Sequence, residues 1–231
     1  MSGNSIDVPV VYEDNHLLAV NKPAGMLVQP AYGDTFALEV QMKAYLKKKY
    51  NKPGEVFLGI CHRIDRPVSG LVLMARTSKA LIRLNQQFKD KEPKKTYHAL
   101  VEGRPLNQED QLTGWLIRNM QKNKSRILQK PHAEAKEAKL HYRVLERGNN
   151  LSLLEVHLET GRHHQIRAQL AHAGWPIYGD VKYGARRGLN DRSIALHARK
   201  LGLLHPVQKE KITLLADYPE VPWWEIFKTR Q

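Results

Sequence analysis

At 231 residues, 42 per cent of them apolar, the chain can bury a substantial core and has the profile of an ordinary soluble globular protein rather than a disordered one. No stretch approaches the roughly 18 consecutive apolar residues of a membrane span. Residues 1–16, MSGNSIDVPVVYEDNH, have neither the basic nor the apolar region of a secretory signal, and the lone Cys61 excludes an intramolecular disulfide, so a cytoplasmic location is expected. The 37 Lys and Arg outweigh 23 Asp and Glu for a formal net charge of +14. Such a balance points first to a polyanionic partner, because basic groups gain affinity for nucleic acid by displacing counterions from its phosphates. The plainer reading is solubility alone.

In chain order, VPVVYEDNHLLAVNKP gives two strand-like runs joined at Glu13-Asp14-Asn15, a turn-prone cluster, and predicts a hairpin. Pro23 and Gly25 end the second run, and GMLVQP is expected to continue extended to a loop at Gly33-Asp34. Thr35 is positioned to cap a helix from about Phe36 to Tyr50, with Lys47, Lys48 and Lys49 favourable at its carbonyl end. Asn51-Lys52-Pro53-Gly54 stops it. GLVLMART reads as a buried strand. Ser78 is then expected to cap a helix whose Leu81, Leu84 and Phe88 recur on one face.

KTYHALVEG, residues 95–103, alternates like a strand, and the basic segment IRNMQKNKSRILQK predicts a surface hairpin. Residues 135–147 and 150–159 alternate clearly around a turn at Gly148-Asn149-Asn150. After Gly161 the period becomes helical, with Ile166, Leu170 and Ala173 in step. ALHARKLGLLHP reads as a late strand and VPWWEIF as a short helical cover. Strands outnumber helices and most connections are hairpin-length, which predicts an α+β fold: a mixed, mainly antiparallel sheet flanked by helices. Neither a repeat nor a long linker divides the chain, so residues 1–231 are expected to form a single domain with its core at about 8–215.

Several chemistries lose their motifs. No two glycines stand two positions apart, which excludes the GxGxxG fingerprint. The pairs with phosphate-loop spacing, Gly54 with Gly59 and Gly179 with Gly184, are followed by Ile60 and Ala185 rather than lysine. One cysteine permits no CxxC zinc site or deaminase signature. The 11 histidines leave a metal site open in principle, with His62, His163, His164, His172, His197 and His205 as the pool, but their spacing fits no ligand motif and no metal is expected.

What remains is dense in arginine and histidine. In CHRIDRPVSG, Asp65 stands between Arg63 and Arg66. In an extended segment Arg63 and Asp65 share one face and His62, Ile64 and Arg66 the other, with Pro67 favouring an extended Arg66. A carboxylate beside cations is kept ionised and suits a nucleophile better than a general acid; the plainer reading is a surface ion pair worth about 0–1 kcal/mol. In GRHHQIRAQL, helical spacing places His163 and Arg167 on one face beside the Ile166 and Leu170 anchors, although a solvated arginine is the commoner outcome. Tyr97 in KKTYHALVEG could equally be an ordinary core tyrosine.

Taken together and in order, HLLAVNKPAGMLVQP, HRIDRPVSGLVLMART, KTYHALVEG, ETGRHHQIRAQLAHAGWPIYGDVKYG and ALHARKLGLLHP resemble the successive motifs of the RluA-type pseudouridine synthases over about residues 8–215. The resemblance implies the pseudouridine synthase catalytic fold and one reaction: in RNA the bond from uracil N1 to ribose C1′ is broken, the base turns while held, and C5 is joined to C1′. It implies that Asp65 is the catalytic carboxylate, that Tyr97 stacks on the base and serves as a general base at the ribose, and that Arg167 pairs with the aspartate. The substrate-binding set it implies is Arg63, His62, Arg66, Arg162, His164 and Gln165. An isomerisation needs no cofactor, and the flipped nucleotide costs a few kcal/mol that basic surface and an aromatic platform offset.

The chain departs from the pattern at His163-His164 and at Gln169, where a histidine is frequent. It resembles the stand-alone members that lack an S4-like RNA-binding module, so RNA choice is expected to come from the catalytic domain or from residues 104–131. The expected partner is transfer RNA or large-subunit (23S-type) ribosomal RNA, bound by a monomer without metal or membrane. Two other readings compete: a non-catalytic RNA-binding or ribosome-assembly protein of the same fold, and a metal-dependent RNA hydrolase.

Overall fold

The computed structural model describes residues 8–31 and 36–228. They gather into two compact units, one built from residues up to 93 together with 199–219, the other from 94–198 together with 220 onward.

In the first unit Val10–Glu13 (β1) and Leu17–Lys22 (β2) form the expected antiparallel hairpin. Asp14 closes its turn, Oδ1 accepting the N–H groups of His16 and Leu17 at 2.7 Å each. GMLVQP is irregular rather than extended, and it has a use. The helix that follows, Leu38–Lys49 (α1), begins at Ala37, which has no side-chain cap. The carbonyls of Leu27 and Val28 accept the Leu38 and Glu39 N–H groups at 2.8 and 3.0 Å instead, satisfying donors a helix start would otherwise leave open. The expected Thr35 cap and the Gly33-Asp34 loop lie outside the described residues.

A two-residue strand, Gly59–Ile60 (β3), precedes Ser69–Ala75 (β4) and Ser78–Lys89 (α2). β4 pairs antiparallel with β2, from Leu17 opposite Ala75 to Lys22 opposite Gly70, and also with β3. It is buried at every position, which is why its sequence is a continuous apolar run rather than an alternating one. The cap of α2 is Thr77, one residue before the expected Ser78, because it is the Thr77 Oγ1 that accepts the Ala80 N–H at 3.2 Å. A Cβ on Gly59 would stand 2.6 Å from Leu81 Cδ2, so a larger residue there would displace the Leu81 side chain that packs α2 on β3.

The second unit is a five-stranded antiparallel sheet of Lys94–Glu102 (β5), Glu109–Asn119 (β6), Lys124–Leu128 (β7), Lys136–Arg147 (β8) and Leu151–Leu158 (β9) in the order β5-β9-β8-β6-β7. Alternation sorts its faces: Ala138, Leu140, Tyr142 and Val144 of β8 are buried while the residues between them are more open. The predicted surface hairpin is the end of β6 with β7, and β6 reaches further back than expected to pair with β8. Gln165–His172 (α3) lies against this sheet, Gln169 Nε2 donating to the Leu112 and Ala138 carbonyls at 2.8 and 3.2 Å. A short 3-10 turn, Val181–Tyr183, follows.

The strand Leu196–Leu204 (β10) carries the chain back into the first unit, where Lys200–Leu204 pairs with Lys211–Leu215 (β11). Pro222–Lys228 (α4) completes the second unit, its Trp224 only 1 % exposed and 5.9 Å from the His197 ring. Every strand pair described within either unit is antiparallel, and helices accompany the strands of each unit. The class is α+β. No helix among the described residues is long and apolar enough to cross a membrane.

Candidate active site

The Asp65 segment is built in the first unit. Ile64 is buried and Arg63 exposed, as alternation predicts. The extended run ends sooner than expected, since Asp65 accepts the Val68 N–H at 3.1 Å and turns the chain through Arg66 and Pro67. The turn is clamped from the loop after β2. Gly25 N–H donates to the Arg66 carbonyl and Arg66 Nε donates to the Gly25 carbonyl, both at 2.8 Å; Gly25 does so at φ +84, a backbone state that favours glycine.

Beneath the clamp lies Lys22, fully buried at the end of β2. Its Nζ donates to the carbonyls of Pro23 at 2.7 Å, Met26 at 2.8 Å and Arg66 at 3.4 Å. Burial pulls its ammonium down to about 7, with the Asp65 carboxylate opposing that shift and the Arg66 guanidinium adding to it. Asp65 itself is half-buried. A fixed cation thus stands behind the loop that presents the carboxylate.

His62 is drawn into the packing. Its Nε2 accepts the Leu73 N–H at 2.9 Å, which makes that nitrogen unprotonated, and its ring stacks on Phe88 at 5.0 Å. Arg66 is exposed apart from its bond to Gly25.

In the second unit Arg167 projects from α3 and is 5 % exposed. Nε and Nη2 donate to the two carboxylate oxygens of Asp180 at 2.7 and 2.9 Å, the fork geometry for which arginine is suited. The guanidinium carbon also lies 5.0 Å from the centre of the Tyr183 ring, and Lys124 Nζ approaches the same ring at 5.0 Å. The Tyr183 hydroxyl accepts the Ser125 N–H at 2.8 Å and shares a hydrogen bond with His164 Nδ1 at 2.9 Å. Burial, reinforced by the positive charges of Arg167 and His163, pushes His164 down to about 2, so it is a neutral ring.

The helical spacing of His163 and Arg167 does not hold. His164 adopts φ 54, a left-handed conformation, and α3 starts only at Gln165. His163 therefore sits before the helix, stacked on His164 at 3.8 Å with Nδ1 3.0 Å from the Ser125 hydroxyl. Gln165 is committed to the same loop: Oε1 accepts from the Thr160 hydroxyl at 2.8 Å and the Arg162 N–H at 3.0 Å, and Nε2 donates to the Lys139 carbonyl at 3.0 Å. Arg162 is half-buried and donates from Nε to the Glu137 carbonyl at 3.1 Å. Tyr97 lies half-buried on β5 opposite Val156.

Lys22, Asp180 and Tyr183 escaped the sequence reading as functional residues. Lys22 left a signal: it continues the apolar run LLAVN at the parity of Leu18 and Val20, an unusual place for a charge. Asp180 and Tyr183 stand inside the quoted motif ETGRHHQIRAQLAHAGWPIYGDVKYG, but nothing in its spacing ties them to Arg167, and Asp180 is 13 residues away from it across two changes of local structure. Among the described residues, no group of three or more His, Cys, Asp or Glu is placed to hold a metal ion.

Residues 16–172 match the model of the RNA pseudouridylate synthase family. An uncharacterized RNA pseudouridine synthase of Bacillus subtilis is 36% identical over 216 residues, covering 93% of this chain and 70% of that protein. Ribosomal large subunit pseudouridine synthase D of Zymomonas mobilis is 35% identical over 226 residues, covering 93% and 71%. Among solved structures, human RNA pseudouridylate synthase domain containing 4 superimposes with a TM-score of 0.77 at 23% identity, over 92% of this chain and 89% of that one, a likeness of fold. The matched span holds both the Asp65 turn and the Arg167 helix, and the chain belongs to the RNA pseudouridylate synthase family.

Proposed function

We propose that this protein is an RNA pseudouridine synthase that converts specific uridines of transfer RNA or large-subunit ribosomal RNA, using Asp65 as its catalytic carboxylate. What carries the reading is the turn at Asp65, HRIDRPVSG, presented over a buried lysine within a chain that matches the family along most of its length. The target nucleotide is swung out of its stack, Asp65 engages the ribose as the N1–C1′ bond breaks, and the released uracil turns and rebonds through C5. No electron, phosphate or water is consumed, and the proton displaced from C5 replaces the one gained at N1.

Each remaining residue has a task that suits its setting. Tyr97 offers an aromatic face to the uracil and a phenol oxygen to the ribose. Arg167, oriented by Asp180 and Tyr183, is the motif arginine that steadies the Asp65 charge. Exposed Arg63 and Arg66 meet RNA phosphates, together with Arg162. His62, His164 and Gln165 serve by shaping the loops that carry these groups.

The deciding experiment is Asp65→Asn in a reaction with transcribed RNA, with pseudouridine mapped by carbodiimide reactivity. The wild type is expected to form pseudouridine and the variant to bind RNA without forming any. Equal yields from both would reject the mechanism, and RNA binding with no product from either would leave a non-catalytic RNA-binding protein. Sites that vanish from cellular RNA when the gene is deleted identify the substrate.

A further inference from the structure

One cation of the second unit is used by nothing described so far. Lys95 stands two residues before Tyr97 on β5, so the two side chains leave the same face of the strand. It is half-buried, and its ammonium reaches the loop of the GRHHQIR motif, where a Cβ built on Gly161 would lie 3.3 Å from Nζ. Gly161 is itself exposed. The ammonium is therefore covered on its flanks and approachable over a residue that has no side chain. Arg162, the next residue in the chain, is half-buried and tethered by its Nε to the Glu137 carbonyl.

Lys95 differs from the other half-buried lysines of the unit, since Lys124 lies over the Tyr183 ring at 5.0 Å. Lys139 pairs with Glu137 at 2.9 Å, whereas among the described residues the Lys95 side chain has neither an ion pair nor a hydrogen bond. Burial alone depresses its ammonium, with no carboxylate to counter it. Withdrawing a charge from water without a partner costs free energy. A lysine needed only for its stem would extend its head to water.

We infer that Lys95 binds a backbone phosphate of the RNA next to the nucleotide on which Tyr97 stacks, with Gly161 kept small so that the phosphate can reach the ammonium. The inference rests on the proposed function, because it takes the occupant of this face to be RNA. Lys95 acts on binding and placement, and the chemistry stays with Asp65. A phosphate gripped there fixes the sugar of its neighbour, which lets one aromatic face recognise a base that offers no paired strand.

The test compares wild type with Lys95→Met, which keeps the stem, and Lys95→Arg, which keeps the charge, on a transcribed RNA across a potassium chloride series. Lys95→Met is expected to raise Kd and KM about tenfold, to leave kcat within about threefold, and to lower the slope of log Kd against log salt by roughly one ion. Lys95→Arg should restore most of the affinity. The melting temperature of Lys95→Met should equal or exceed that of wild type, since an uncompensated buried charge has been removed. An unchanged salt slope would overturn the inference, as would a lowered melting temperature with unchanged binding, which marks a structural lysine. A collapse of kcat at unchanged KM would also overturn it, because the residue would then act in the chemistry. Wild type that binds RNA with the Lys95-dependent slope yet forms no pseudouridine would instead sink the functional reading and leave the phosphate contact standing.

Discussion

Arg167 and Asp180 face one another through two hydrogen bonds of 2.7 and 2.9 Å, with neither side chain more than 5 % exposed. A pair this buried is weak evidence of net stabilisation, but breaking it strands a charge, which costs about 3–5 kcal/mol. Asp180→Ala should therefore lower the melting temperature by roughly 6–20 °C at the 2–4 °C per kcal/mol expected of a chain this size, and pseudouridine formation with it. Replacing both partners, Arg167→Met with Asp180→Leu, should recover much of the melting temperature and none of the activity. Recovery of activity in the double variant would show that the arginine serves packing alone.

Lys22 gives the stability of the first unit a pH dependence of its own. Its folded value of about 7 lies below the ordinary 10.5. Between those values the unfolded chain holds more protons than the folded one, so stability rises with pH across that window, by up to about 1.4 kcal/mol per pH unit. Below about 7 the penalty of the buried cation is present in full. In urea titrations from pH 6 to 10, wild type should gain stability relative to Lys22→Met. Parallel curves would mean that the ammonium is not held dry.

The parts of the molecule that were legible in the sequence are those with a repeating pattern. β8 announces itself because Ala138, Leu140, Tyr142 and Val144 alternate toward the core, and β4 because its two covered faces leave an unbroken apolar run. The start of α3 was not legible: Ile166 and Leu170 give the right period, but nothing in GRHHQ says that His164 will turn left-handed and detach His163. β3 is two residues long, too short for a period to register. Asp65, Tyr97 and Arg167 were singled out through motif order, whereas Lys22 beneath the Asp65 turn, and Asp180 and Tyr183 against Arg167, are brought to those residues by folding rather than by spacing.

Cys61 gives a direct check on the packing beside the Asp65 turn. Its Sγ donates to the Leu73 carbonyl at 3.2 Å, and burial pushes the thiol up to about 12 against the weaker pull of nearby main-chain N–H groups. Since the thiolate is the reactive form, native protein at pH 8 should alkylate with iodoacetamide about a thousandfold more slowly than a small thiol and at the ordinary rate in urea. Rapid labelling of the folded protein would show that the strand pair β3–β4 opens readily.

Glu13 ties three elements together. Oε2 accepts from the Tyr45 hydroxyl at 2.9 Å and Lys49 Nζ at 2.7 Å, and Oε1 from the Tyr50 hydroxyl at 2.5 Å and Arg76 Nη1 at 3.1 Å, so β1, α1 and the end of β4 meet on one carboxylate. Burial by itself would raise its pKa, but the donors from Lys49, Tyr50 and Tyr45 outweigh burial and hold it below the usual glutamate value. A carboxylate depressed in the folded state contributes stability that is complete above its unfolded value and is lost as pH falls through the folded one. Glu13→Gln removes the charge and can satisfy only part of this set of donors, so it should cost about 1–3 kcal/mol at pH 7. The same variant should flatten the loss of stability as pH falls below the ordinary glutamate value of 4.5, measured by urea unfolding. If wild type and variant lose stability in parallel over that range, the acid sensitivity of the first unit belongs to another carboxylate, and Asp14, depressed by the His16 and Leu17 N–H groups against burial, is the one to replace next.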